Sequence, residues 1–168
     1  MPDYYDDVRK KAVEIAIYES TKDTREVKVR NRGERIDEYL RCANMLHSWT
    51  PDDKVGGSWC GAFLYYCFYH AAKELAKSLP FTPDNIISGQ RLHEWVRNNP
   101  DKKVEAVPFQ PGDLYIKENY HVGMVVQTAN DYGSILTVDG NQEGVSKSKN
   151  SVQINLRSYK QMKLLVRI

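Results

Sequence analysis

Ser58-Trp59-Cys60-Gly61-Ala62-Phe63 opens an apolar stretch that organises the rest of the chain. From Trp59 to Lys77 there is no proline and one glycine, Gly61. Phe63, Cys67 and Ala71 recur at a helical period, and so do Leu64, Phe68 and Leu75, so the stretch reads as a helix. Cys60 then falls in its first turn. There the unpaired backbone N–H groups and the positive end of the helix dipole favour a thiolate. Cys67, in mid-helix, reads as a small buried hydrophobe, the ordinary role of a free cysteine.

Working backwards, Trp49 to Ser58 holds Pro51, Gly56 and Gly57 and reads as a loop leading to the thiol. Gly33 to His47 reads as a helix with Ile36, Tyr39, Leu40 and Ala43 inward. Ser20 to Arg32 is polar and irregular. Asp3 to Glu19 carries a stripe of Val8, Ala12, Ile15 and Ala16, the pattern of an amphipathic helix. Working forwards, Leu79 to Pro83 breaks the cysteine helix. A short helix follows from about Ser88 to Asn98, with Leu92, Trp95 and Val96 as its apolar side, closed by Asn98-Asn99-Pro100. Beyond it Asp113 to Lys117, His121 to Ala129, Ser134 to Asp139, Val152 to Leu156 and Lys163 to Ile168 read as strands. Helices first and antiparallel strands after make an α+β class, with residues 1–168 as a single domain.

Composition excludes several functions. The net charge of +2 comes from dispersed Lys and Arg, which argues against a nucleic-acid partner. The three cysteines, Cys42, Cys60 and Cys67, do not make a disulfide framework. Neither they nor His47, His70, His93 and His121 have metal-ligand spacing, so no metal or cofactor is expected. The N-terminus, Met-Pro-Asp-Tyr-Tyr-Asp-Asp, lacks the pattern of a signal peptide, and no apolar run is long enough for a membrane span. Synthesis in the cytoplasm is therefore expected.

A second chemical group meets the thiol through strand register. Asn130-Asp131-Tyr132-Gly133 is rich in turn residues. A hairpin folded about it pairs residues whose numbers sum to about 260–262. His121 then faces the stretch Asp139-Gly140-Asn141, and Asp139 and Asn141 share one face of their strand. Either one could hold the imidazole and fix its tautomer, leaving the other ring nitrogen for Cys60. A cysteine, a histidine and an orienting polar residue are the parts of a thiol acyl-transfer site. Taken singly, each has a plainer reading: a core cysteine, a surface histidine, a turn sequence.

Together these segments resemble the CHAP and NlpC/P60 families of bacterial cell-wall hydrolases, which share a papain-like core. Asn31-Arg32-Gly33 through Ile36 and Tyr39, with Trp59-Cys60-Gly61-Ala62-Phe63, is similar to the N-x-G…I-x-x-Y and W-C-A-x-F segments of CHAP-like proteins. Pro111-Gly112-Asp113-Leu114 resembles their P-G-D-[IL] strand opening. His121-Val122-Gly123-Met124-Val125, with Thr137-Val138-Asp139-Gly140-Asn141, resembles H-V-G-[IF]-V followed by T-[IV]-E-G-N. The likeness spans roughly residues 31–142. It departs at Gly61, where Ala or Ser is usual, and at Asp139, where Glu is common.

The resemblance implies a papain-like fold with N-terminal helices packed on a C-terminal antiparallel sheet. It also implies Cys60 as nucleophile, His121 as base, and Asp139 or Asn141 as the third residue. The substrate it implies is peptidoglycan, cut at an amide bond of or beside the stem peptides. Trp59 and Tyr120 flank the catalytic pair and are candidates to line the groove, although Trp59 is the better candidate for packing under the helix. Trp49, Asp52 and Asp53 are candidates to touch the cationic end of a stem peptide. The biological settings it suggests are an exported antibacterial effector with a cognate immunity protein, a phage lysin, or a phage-tail hydrolase. An effector or lysin would act in the periplasm or wall of a target cell after export or lysis. The competing readings are a papain-like thiol hydrolase acting on protein amides or acyl-lipids, and a non-catalytic wall-binding domain.

Overall fold

The apolar stripes fold into five α-helices and five strands, as described by a computed structural model over residues 3–22, 24–26, 31–45, 59–105, 109–118, 120–128, 133–142 and 151–168. The helices are α1 (Asp6–Ser20), α2 (Glu34–Cys42), α3 (Cys60–Glu74), α4 (Pro83–Ile86) and α5 (Gly89–Asn98). The strands are β1 (Leu114–Lys117), β2 (Val122–Thr128), β3 (Ser134–Gln142), β4 (Ser151–Ser158) and β5 (Met162–Val166). They form one sheet in the order β4-β3-β2-β1-β5, with every neighbouring pair antiparallel. The class is α+β, as the order of patterns in the sequence requires. Trp49, Asp52 and Asp53 lie outside the described residues, as does most of the turn joining β2 to β3. No helix among the described residues is long and apolar enough to cross a membrane.

Helix and sheet meet through alternation. Leu114, Ile116, Val122, Met124, Val138, Val152 and Val166 join one core cluster with Val8, Ala12 and Ala16 of α1, Ile36, Tyr39 and Leu40 of α2, and the apolar side of α3. The residues between them on the strands, Tyr115, Val125, Ile135 and Leu165, form a smaller cluster with Phe109. The inward residues expected for α2 and α5 are all buried. The cysteine helix ends at Glu74, three residues short of the expected Lys77, because Ala76 turns into the left-handed region at φ 51°. The segment 79–83, expected only as a break, leads into the single-turn α4. Pro83 starts that turn, and the Thr82 N–H donates to Asn85 Oδ1 at 2.8 Å.

Two charged side chains of α1 are buried. Glu19, 1 % exposed, accepts from Arg35 Nε at 2.7 Å and from the Tyr39 hydroxyl at 2.6 Å, which ties α1 to α2. Arg9, also 1 % exposed, donates to Asp3 and to the carbonyl of Ile168, both at 2.6 Å. Pro111-Gly112-Asp113 is a structural corner. Gly112 has φ 87° and its Cα lies against Arg9, while the Asp113 carboxylate accepts from Arg167 at 2.7 and 2.8 Å.

The N-terminal end of α3 is seated on β3 at Gly140. A Cβ there would lie 2.8 Å from Trp59 Cζ3 and 2.9 Å from Phe63 Cβ, both in fully buried side chains. Gly140→Ala therefore has to lift α3 from the sheet. We expect a loss of about 1–3 kcal/mol, seen in thermal unfolding as a Tm lower by roughly 3–10 °C.

Candidate active site

Cys60 is the first residue of α3, after Trp59 at the N-cap position, and is 3 % exposed. His121 immediately precedes β2, and Asp139 lies within β3. The three come together. The imidazole Nε2–H donates to Asp139 Oδ1 at 3.1 Å, and the Cys60 thiol is hydrogen-bonded to the same ring. Because a carboxylate only accepts, Nε2 carries the proton and Nδ1 is left for the sulfur.

Of the two candidates for orienting the ring, Asp139 makes this contact. Near the site Met124 pairs with Val138 and Val125 with Thr137, the 262 register at the upper end of the expected range. Continued, it sets His121 opposite Asn141 and Gly123 opposite Asp139. The imidazole leans two residues along to reach Asp139 because Gly123 presents no side chain. A Cβ at Gly123 would lie 2.1 Å from Asp139 Oδ1 and 2.5 Å from the Tyr115 hydroxyl. Tyr115 itself pairs with Gly123 across β1 and β2. Asn141, at φ 59°, bends the end of β3.

Asp139 has no exposed surface, so its charge must be met by donors. Oδ1 accepts from the Tyr115 hydroxyl as well as from His121. Oδ2 accepts from Thr137 Oγ1 at 3.0 Å, Asn155 Nδ2 at 2.9 Å, and Arg157 Nε and Nη2 at 3.2 and 3.0 Å. Burial alone would raise the acid's pKa, but the hydrogen bond from His121 and the charge of Arg157 lower it to about 2. Burial likewise disfavours the imidazolium, yet the hydrogen bonds and charges of Asp139 and Cys60 raise His121 to about 9. Tyr115, Asn155 and Arg157 were not singled out in the sequence, and Thr137 entered only as part of the motif around Asp139. Asn155 and Arg157 leave as their trace two polar residues at alternating positions on β4, which read equally well as a solvated face.

A second device sets the distance between thiol and imidazole. The chain from α4 to α5 runs between their supports. A Cβ on Gly61 would sit 2.2 Å from the Ile86 carbonyl oxygen, so the backbone there lies directly on the first turn of α3. Three residues on, the Gly89 N–H donates to the Tyr120 carbonyl at 2.9 Å, and its Cα lies equally close to the Tyr120 backbone. Gly61 is thus required for close approach, which accounts for its departure from the Ala or Ser of similar motifs.

The two candidate groove residues part company. Trp59 is fully buried, stacks on Tyr39 with ring centroids 5.9 Å apart, and directs its Nε1–H to Glu26 at 3.4 Å. It is a packing residue and offers no face to a substrate, so the expectation that it lines a groove is corrected. Tyr120 is 57 % exposed beside His121, in the left-handed region at φ 55°.

Comparison of the chain with protein-family models, curated proteins and solved structures returned no match.

Two outcomes follow from this geometry. Gly123→Ala drives a methyl between His121 and Asp139 and should slow alkylation of Cys60 by iodoacetamide near neutral pH about 10–100-fold. Peptide mapping separates this thiol from the half-buried Cys42. The second concerns pH. His121 is raised from 6.5 to about 9, so its stabilising effect is complete below pH 6.5 and fades as pH rises through 9. Asp139 is lowered from 3.8 to about 2, so its effect is complete above pH 3.8 and is lost as pH falls through 2. The Tm gap between the wild type and His121→Gln should accordingly be widest between pH 4 and 6.5 and should narrow toward pH 9.

Proposed function

We propose that this protein is a cysteine hydrolase that cleaves an amide bond of peptidoglycan, with a papain-like fold of the CHAP and NlpC/P60 kind. The observation that carries the reading is a thiol on the first turn of a helix, hydrogen-bonded to an imidazole that a buried carboxylate holds by its far nitrogen. A structural cysteine needs none of these partners. The order of the sequence motifs, running from the cysteine helix through Pro111-Gly112-Asp113 to His121 and Asp139, supplies the substrate class.

In the proposed reaction the Cys60 thiolate attacks the carbonyl carbon of the scissile amide, forming a C–S bond. The developing oxyanion is held by the backbone N–H of Cys60 at the helix start. The His121 imidazolium gives its Nδ1 proton to the departing amine nitrogen as the C–N bond breaks, leaving a thioester and a neutral ring. Water then gives a proton to Nδ1 and its oxygen to the carbonyl carbon. The C–S bond breaks, the acid product leaves, and the thiolate–imidazolium pair is restored. Throughout, Asp139 keeps Nε2–H in place. Tyr120, exposed and next to His121 in the chain, is proposed as a binding residue. Asn141 is proposed only to shape the strand end beside the triad. The setting proposed is an exported antibacterial effector acting in the wall of a target cell, with an immunity protein closing the groove.

The test is a digest of purified peptidoglycan by the wild type and by Cys60→Ala, read by mass spectrometry. The wild type is expected to release fragments and the variant to be slower by at least about 10³-fold. The fragment masses distinguish an amidase, which frees the stem peptide from the sugar, from an endopeptidase. If several wall chemotypes stay intact although Cys60 alkylates readily, peptidoglycan is the wrong substrate, and protein amides and acyl chains become the substrates to try.

A further inference from the structure

The mechanism above uses one face of Asp139; the opposite face is occupied by a second cation. Arg157 projects from β4, and its Nε and Nη2 both donate to Oδ2, at 3.2 and 3.0 Å, while His121 is held by Oδ1. The Arg157 side chain is 12 % exposed and that of Asp139 is 0 % exposed, so solvent screens this pair little. The row is continuous across the sheet: Arg157 and Asn155 on β4, Thr137 and Asp139 on β3, the vacancy at Gly123 on β2 with His121 just before that strand, and Tyr115 on β1.

We propose that Arg157 is a positioning residue for the catalytic pair. It locks Asp139 as an anion with Oδ1 turned to His121, so that the proton moved during each half-reaction travels on the imidazole and never on the carboxylate. The inference rests on the reading of Cys60 and His121 as a thiol–imidazole pair, and it adds the group that governs how readily the ring gives its proton up.

An imidazolium beside a lone buried carboxylate is held too strongly to be a good acid, because losing the proton leaves a bare buried anion. A fixed guanidinium on the far oxygen removes that penalty. The carboxylate stays compensated when the ring is neutral, and the ring can cycle. Both donors of the guanidinium converge on Oδ2, which leaves Oδ1 to His121 and Tyr115. Other titratable groups bear on the site among the described residues. Cys60 faces His121 from α3, and Tyr115 donates to Asp139 from β1. Lys117, also on β1, has its ammonium pKa lowered by burial and by Arg157. The guanidinium of Arg157 donates twice to Oδ2 and so holds the carboxylate directly.

The experiment needs no substrate. In a Cys60→Ala background, which removes the thiol, the His121 ring is titrated by NMR with and without Arg157→Gln and Arg157→Lys. Withdrawing a fixed positive charge from beside a proton-binding pair must raise its proton affinity. Arg157→Gln is therefore expected to move the His121 midpoint upward by about one pH unit. Arg157→Lys, which keeps the charge, is expected to move it by less than half as much. An unchanged or lowered midpoint in Arg157→Gln overturns the proposal, and so does an equal shift in both variants, which would mark a merely structural role. Should Arg157→Gln fail to fold, the carboxyl carbon of Asp139 in the Cys60→Ala protein decides. An ionised carboxylate from pH 4 to 10 supports the lock, and a protonation step within that range overturns it. A chain that showed the shift yet degraded no wall substrate would refute the substrate reading and leave this one standing.

Discussion

The buried carboxylate of Asp139 is the constraint on which the site depends. A charge without exposed surface is tolerable only where donors surround it, and here they arrive from four strands. That requirement dictates the local sheet. β1 must bring Tyr115, the turn into β2 must bring His121 while β2 gives up a side chain at Gly123, and β4 must bring Asn155 and Arg157. Each donor is at once a partner of the carboxylate and a reason for the register in which the strands pair. The site is therefore part of the sheet's own hydrogen-bonding economy and not an addition to its surface.

The thiol is governed from the other side of the same sheet. Trp59 and Phe63 seat the start of α3 on Gly140, one residue from Asp139. Alternation along β3 sends consecutive residues to opposite faces, so Asp139 receives the imidazole while Gly140 receives the helix that carries Cys60. The α4–α5 junction then spans from Gly61 to the Tyr120 backbone and closes the triangle. Close backbone approach at three glycines thus sets the spacing of thiol and imidazole, which explains why Gly61 stands where similar motifs carry a larger residue.

The buried ion pairs elsewhere serve stability of placement. Glu19 with Arg35 and Tyr39 joins α1 to α2, and Tyr39 in turn stacks on Trp59 at the N-cap of the cysteine helix. Arg9 and Arg167 hold the two ends of the sheet's β1 corner through Gln110 and Asp113. The P-G-D segment, conspicuous in the sequence between the Cys60 and His121 motifs, has this architectural role: a left-handed turn at Gly112 and a buried carboxylate anchored by Arg167.

Sequence alone determined the class, the order of the longer helices and the strands, the apolar faces of α2, α3 and α5, the placement of Cys60 in a first turn, and the register that brings His121 to the segment from Asp139 to Asn141. These are matters of local periodicity, turn chemistry and pairing between adjacent strands, all written in nearby residues. Only the tertiary structure decided between Asp139 and Asn141, because the choice turns on the empty space at Gly123 and on donors from strands distant in sequence. It also decided that Trp59 packs and does not line a groove, since burial depends on what Tyr39 and Glu26 bring against it. Arg157 was invisible for the same reason. A polar residue at an alternating position reads as solvated until a neighbouring strand is seen to carry the buried charge that it meets.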